Sequence, residues 1–104
     1  MISTVEAGQI AFDFLMMDLG IPADDQEWFV VLTSRPIGES WCVVEIGVEG
    51  LPDKWVLQVW DTGECDPNYT FASPIKAVAG TNDLEEMPEA VATAIAAERQ
   101  SQSP

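Results

Sequence analysis

Apolar positions along this chain follow a helical period first, then a strand period, then a sparse helical period again. Over residues 3 to 19, a step of about 100° per residue puts Glu6, Gln9 and Asp13 in one polar wedge. Ala7, Ile10, Ala11, Phe14, Leu15 and Leu19 fill the opposite side, and Val5, Phe12, Met16 and Met17 flank the wedge. That apolar arc is wider than a surface helix needs, so the helix is expected to be buried on two sides or to form part of an interface. Ser3-Thr-Val-Glu6 reads as a capping box, in which the Ser3 hydroxyl and the Glu6 carboxylate satisfy free N–H groups reciprocally. Gly20 followed by Ile21-Pro22 reads as the stop. Ala23-Asp24-Asp25-Gln26 then forms an acidic loop.

Between Glu27 and Thr62 the period drops to two. The runs Glu27–Thr33, Trp41–Val48 and Lys54–Asp61 are rich in β-branched and aromatic residues and have strand length. Their separators, Arg35–Ser40 and Glu49–Asp53, are too short for a helical crossover, which predicts an antiparallel meander. Cys42, Val44, Ile46 and Val48 make one wholly apolar face of the second run, and Trp55, Leu57 and Val59 one face of the third. The other face, with Trp41, Val43, Glu45, Gly47, Val56, Gln58 and Trp60, is mixed but not polar. A sheet covered on one side only alternates more cleanly, so either the last helix or another molecule is expected on this second face.

Tyr69–Ala72 predicts a short fourth strand that Pro74 confines to an edge, and Ile75–Gly80 an irregular continuation of it. Asp83 is placed to cap a turn with Glu86 as its reciprocal partner. Pro88 then suits the start of a last helix running to about Arg99, whose apolar stripe is Val91, Ala94 and Ile95. The fold class is α+β: an N-terminal helix packed on a three- to four-stranded antiparallel meander sheet, followed by a C-terminal helix. Residues 1–99 form a single domain and 100–104 a frayed tail.

Composition narrows the function classes. Within 104 residues, 18 Asp and Glu stand against 4 Lys and Arg, a net charge of −14. Arg35, Lys54, Lys76 and Arg99 cannot supply the basic footprint that nucleic acid requires, and anionic membranes are disfavoured for the same reason. A basic protein partner or a cation suits the field better, although acidity also serves solubility alone. Cys42 and Cys65 do not make a disulfide framework, and Met1–Leu19 lacks the basic start and cleavage site of a signal peptide. A cytoplasmic location is the expectation.

There is no histidine, which removes the usual general base and the commonest transition-metal ligand. Cys42 falls on the apolar strand face, and Cys65 between Glu64 and Asp66, settings that both disfavour a thiolate. Asp61-Thr62-Gly63 resembles the aspartic-protease triplet, but Glu64 follows where that family has a small residue, and a strand-ending turn accounts for the same residues. Asp61, Glu64, Asp66 and Asn68 offer oxygens to a hard cation without the spacing of an EF-hand loop. Asp18, in the last turn of the first helix, is either a solvated acid or a partly buried carboxylate. No cofactor and no metal site is expected.

The remaining candidates are aromatic. Trp28, Trp41, Trp55 and Trp60 all lie within the meander, and core anchoring explains at least two of them. Trp41, Val43 and Trp60, with Phe29, are the candidate binding surface, as Trp is enriched at interface anchors. Helix first and meander second is an element order similar to cystatin-like domains, and it also resembles the small acidic chaperones of bacterial secretion systems, which implies possible homodimers. The leading expectation is a non-enzymatic protein-binding module, of inhibitor, immunity or adaptor kind, steered to a basic partner. The alternatives are a homodimeric chaperone-like protein using the first helix or the Trp60 face, and a carboxylate-based hydrolase in which two of Asp18, Glu45 and Asp61 converge.

Overall fold

The computed structural model describes residues 2–75 and 82–102, without the side chains of Asn82 and Gln102. Helix α1 spans Thr4–Leu19, strands β1 to β4 span Phe29–Ile37, Trp41–Val48, Lys54–Trp60 and Thr70–Ala72, and helix α2 spans Glu89–Gln102. The sheet is antiparallel with strands in sequence order, so the architecture is the α+β meander that the apolar periods predict. The expected continuation after Ile75 falls on residues 76–81, outside the described residues.

Both ends of α1 follow its sequence signals. The Glu6 N–H donates to the Ser3 hydroxyl at 3.1 Å and the Ser3 N–H to the Glu6 carboxylate at 3.3 Å, completing the capping box. Gly20 takes φ 68°, and the Ile21 N–H reaches back to the Met16 carbonyl at 3.0 Å, a Schellman stop. The acidic stretch Ala23–Trp28 winds into a 3₁₀ turn rather than a loop.

Strand β1 begins later and runs further than its apolar run suggests, through Pro36 to Ile37. Proline is tolerated because β1 is an edge strand. A bulge between Val31 and Thr33 adds Leu32 to one side of the ladder and resets its register. Gly47 makes room for that extra side chain: a Cβ there would stand 2.9 Å from the Leu32 Cδ1 and 3.0 Å from the Asp53 carbonyl oxygen.

Both helices pack on one face of the sheet. α1 crosses from β1, where the Ser34 hydroxyl donates to the Thr4 carbonyl at 2.6 Å, to the residue before β4, where the Tyr69 hydroxyl donates to Asp18 at 2.7 Å. Its Ala7, Ala11 and Leu15 meet Val44, Ile46, Leu57 and Val59 of the sheet in the core, all fully buried. α2 sits over the end of the sheet that carries Trp55. There the Trp55 Nε1–H donates to Glu98 at 2.7 Å, and Phe29 and Phe71 lie against the indole with ring centroids 5.7 and 5.1 Å away.

An ion cluster fixes α2. The Arg99 guanidinium, 1% exposed, donates from Nε and Nη2 to the two carboxylate oxygens of Asp53, both at 2.7 Å. It also donates to both oxygens of Asp83, at 3.1 and 2.9 Å. Asp83 therefore receives the end of α2 rather than acting as the expected cap paired with Glu86. Fully buried charges require this degree of pairing, because removing them from water is expensive. Helix α2 continues to Gln102, so Gln100–Gln102, expected in a frayed tail, are helical.

Candidate functional site: the open face of the sheet

Residues paired across an antiparallel ladder share a face, so the register lays out the second face in rows. Ile37, Trp41 and Trp60 form the first row and Arg35, Val43 and Gln58 the next. Thr33, Glu45, Val56 and Thr70 follow, then Val30, Gly47, Lys54 and Ala72. Among the described residues no helix lies on these rows. Trp60 is 38% exposed, Leu32 and Ile37 are also exposed, and Trp41 and Val43 are half-buried. The expected cover by the last helix does not occur, because Val91 and Ile95 of α2 join the core on the opposite face.

The aromatic row owes its shape to the turns beside it. The β1–β2 hairpin closes through Gly38 at φ 66°, which brings Ile37 opposite Trp41. Across the next pair, the Trp41 and Trp60 rings meet with centroids 5.9 Å apart, tilted by 45°. The Asp61 N–H donates to the Ser40 carbonyl and the Trp60 N–H to the Glu64 carbonyl, both at 2.8 Å. These bonds hold the Asp61–Glu64 turn against the end of the row, and Glu39, Asp61 and Glu64 of the two turns there are all exposed. The apolar indole pair thus has acidic turns at one end and Arg35 in the row on its other side, and an indole face of this kind can accept a cationic side chain.

Further along the face, the Thr33 hydroxyl and the Lys54 ammonium donate to Glu45 at 2.9 and 2.7 Å. The bond from Lys54, then that from Thr33, holds the Glu45 carboxyl below its ordinary value. Glu45 is the one acid in these rows and it is already partnered with Lys54, while Arg35 is exposed in the next row, so the middle of the face carries one net positive charge and the acids lie at the turn end.

The carboxylates of the hydrolase alternative stand apart. Asp18 is exposed at the end of α1 on the helical side of the sheet and accepts from Tyr69, whose phenol is pushed above its ordinary value by burial and then by Asp18 itself. Asp61 lies in the turn beyond β3, whose last residue, Trp60, is already about 13 Å along the strand from Val56, the partner of Glu45. Cys42 is buried in the core, and burial followed by the nearby Asp66 charge pushes the Cys65 thiol up to about 11. In the Asp61–Asn68 loop, Asp66 accepts from the Asn68 N–H at 2.8 Å, a local turn rather than an open ligand. Among the described residues no three acidic or thiol side chains gather as a metal would require.

Of the residues singled out from sequence, Trp41, Val43 and Trp60 share the open face, and Phe29 does not. Phe29 pairs with Val48, is 3% exposed and packs on Trp55, so it belongs to the core. Leu32 and Ile37 take its place, and the reading of β1 missed them for local reasons. Leu32 reaches the open face through a bulge, and Ile37 follows a proline that reads as the end of a strand. Within the core, the one advance sign of the Arg99 cluster is spacing: Val91, Ile95 and Arg99 recur every fourth residue on one stripe of α2. No family model, curated protein or solved structure matches this chain.

Proposed function

We propose that this chain is a non-enzymatic protein-binding module that docks a basic partner on the open face of its sheet. The observation that carries this reading is the Trp41–Trp60 pair, left uncovered at one end of the face beside the turns that carry Glu39, Asp61 and Glu64. Large amphipathic rings of this kind anchor interfaces at small entropic cost, and the indole faces accept a Lys or Arg side chain. The net charge of −14 steers such a partner from a distance, while the apolar row supplies contact.

Affinity capture from the native host, followed by titration of the purified partner, tests the reading. The expected partner is basic and binds less tightly as salt rises from about 10 mM to about 150 mM, where the Debye length shortens from about 30 to about 8 Å. Trp60→Ala is expected to weaken it at least tenfold. Recovery of acidic partners only, with binding indifferent to salt, contradicts the reading.

A further inference from the structure

We infer that the partner covers the open face with an amphipathic helix, which sets a Lys or Arg against the Trp41–Trp60 pair and, one turn further on, an Asp or Glu against Arg35. This rests on the open face being the docking surface and names what that surface reads. Charge changes sign along the face. The exposed acids Glu39, Asp61 and Glu64 stand at the turn end, then come the two indoles, then Arg35 in the row of Val43 and Gln58. In the row beyond, Glu45 accepts from Thr33 at 2.9 Å and from Lys54 at 2.7 Å. Lys54 and Arg99 thus pair with acids of their own chain, whereas Arg35 is exposed and forms no ion pair among the described residues. Its neighbours on the open side of β1, Leu32 and Ile37, are exposed apolar side chains. An arginine between apolar side chains and beside tryptophans has the composition of an interface anchor.

The form of the occupant follows from its backbone. Strands β2 and β3 are paired on both sides, so the middle of the face offers side chains and no free N–H or C=O groups. A lone extended segment laid across it would bury its own unpaired backbone groups, whereas a helix satisfies them internally. An added strand at the β1 edge is disfavoured by the bulge between Val31 and Thr33 and by Pro36, which has no N–H to pair. Spacing agrees with a helix. Neighbouring rows of the face lie about 7 Å apart along a strand, close to the rise of about 6 Å between helix residues four apart. Charge then sets the order of side chains. The net charge of −14 steers a basic partner, yet a uniformly basic helix would bring a like charge onto Arg35. One carboxylate placed a turn from the cationic anchor removes that repulsion and gives the guanidinium an acceptor.

Titration of the partner captured on the full chain against Arg35→Gln, Arg35→Lys and Trp60→Ala tests this by the sign of the effect. Arg35→Gln is expected to weaken binding about tenfold, the loss typical of an interface anchor, and Arg35→Lys to recover part of it. Arg35 is exposed, so the denaturation midpoint of both variants is expected to match that of the parent. Hydrogen exchange is expected to show protection in a helix of the partner that carries an Asp or Glu four residues from a Lys or Arg. Replacing that acid by Ala should weaken binding to the parent chain but not to Arg35→Gln, the coupling of a direct pair. Binding that tightens or stays unchanged in Arg35→Gln, while Trp60→Ala weakens it, overturns the inference and leaves the open face as the docking surface. Protection of an extended partner segment together with the β1 amides overturns it as well. Capture of no partner whose binding depends on Trp60 removes both readings.

Discussion

The two faces of this sheet come from the same strands and yet have opposite characters. On the helical face, Trp55 is fully buried, its indole N–H bonded to Glu98 and its ring held between Phe29 and Phe71. On the open face, Trp60 has the same chemistry and a ring partner in Trp41, but water on its other side. Alternation alone decides which residue goes where. What differs is the third layer: α1 and α2 both fall on one side, and the charged Arg99 cluster pins α2 there. One face is therefore committed to stability, and the other is left without a helix among the described residues.

Substitutions that sharpen this contrast differ most in the core. Trp55→Ala removes a fully buried indole and is expected to cost about 3–5 kcal/mol, read from chemical denaturation. That is a large part of the stability of a domain this size, which lies at about 5–15 kcal/mol. Arg99→Ala leaves Asp53 buried without its guanidinium, and a loss of about 3 kcal/mol is expected, with α2 amides exchanging faster.

Acid gives a smaller, signed effect. Its hydrogen bonds with Arg99 hold Asp83 below the ordinary carboxylate value, and those from Lys54 and Thr33 do the same for Glu45. A carboxylate depressed on folding stabilises above its unfolded value and loses that contribution as pH falls through the folded one. Stability is therefore expected to decline below about pH 4. The decline should be shallower in Arg99→Ala, which no longer depresses Asp83.

Trp60→Ala should change least. The ring stacks on Trp41 at the surface, so a loss of about 1 kcal/mol or less is expected in denaturation, against the large loss at Trp55. Equal costs at the two tryptophans would mean that the faces are not different in the way described.

The contrast was only half legible in the chain itself. Wherever a strand keeps a strict period of two, as in β2 and β3, the faces follow from spacing, and Trp41 and Trp60 could be set apart from Trp55. In β1 the bulge breaks that period, so Phe29 could not be assigned to the core nor Leu32 and Ile37 to the surface. The capping box and the Gly20 stop are contiguous signals, and both ends of α1 could be read. The Arg99 cluster joins residues 46 and 16 positions apart, from a turn, a helix end and a short 3₁₀ segment. No local pattern encodes such a meeting. Charged residues read as surface unless, as with Arg99, they extend an apolar stripe.

The four indole N–H signals in a proton–nitrogen correlation spectrum report on both faces at once. On titration with the captured basic partner, those of Trp41 and Trp60 are expected to shift, while that of Trp55, bonded to Glu98, stays in place. A Trp55 signal that moves while those of Trp41 and Trp60 remain fixed would contradict the open face as the binding surface.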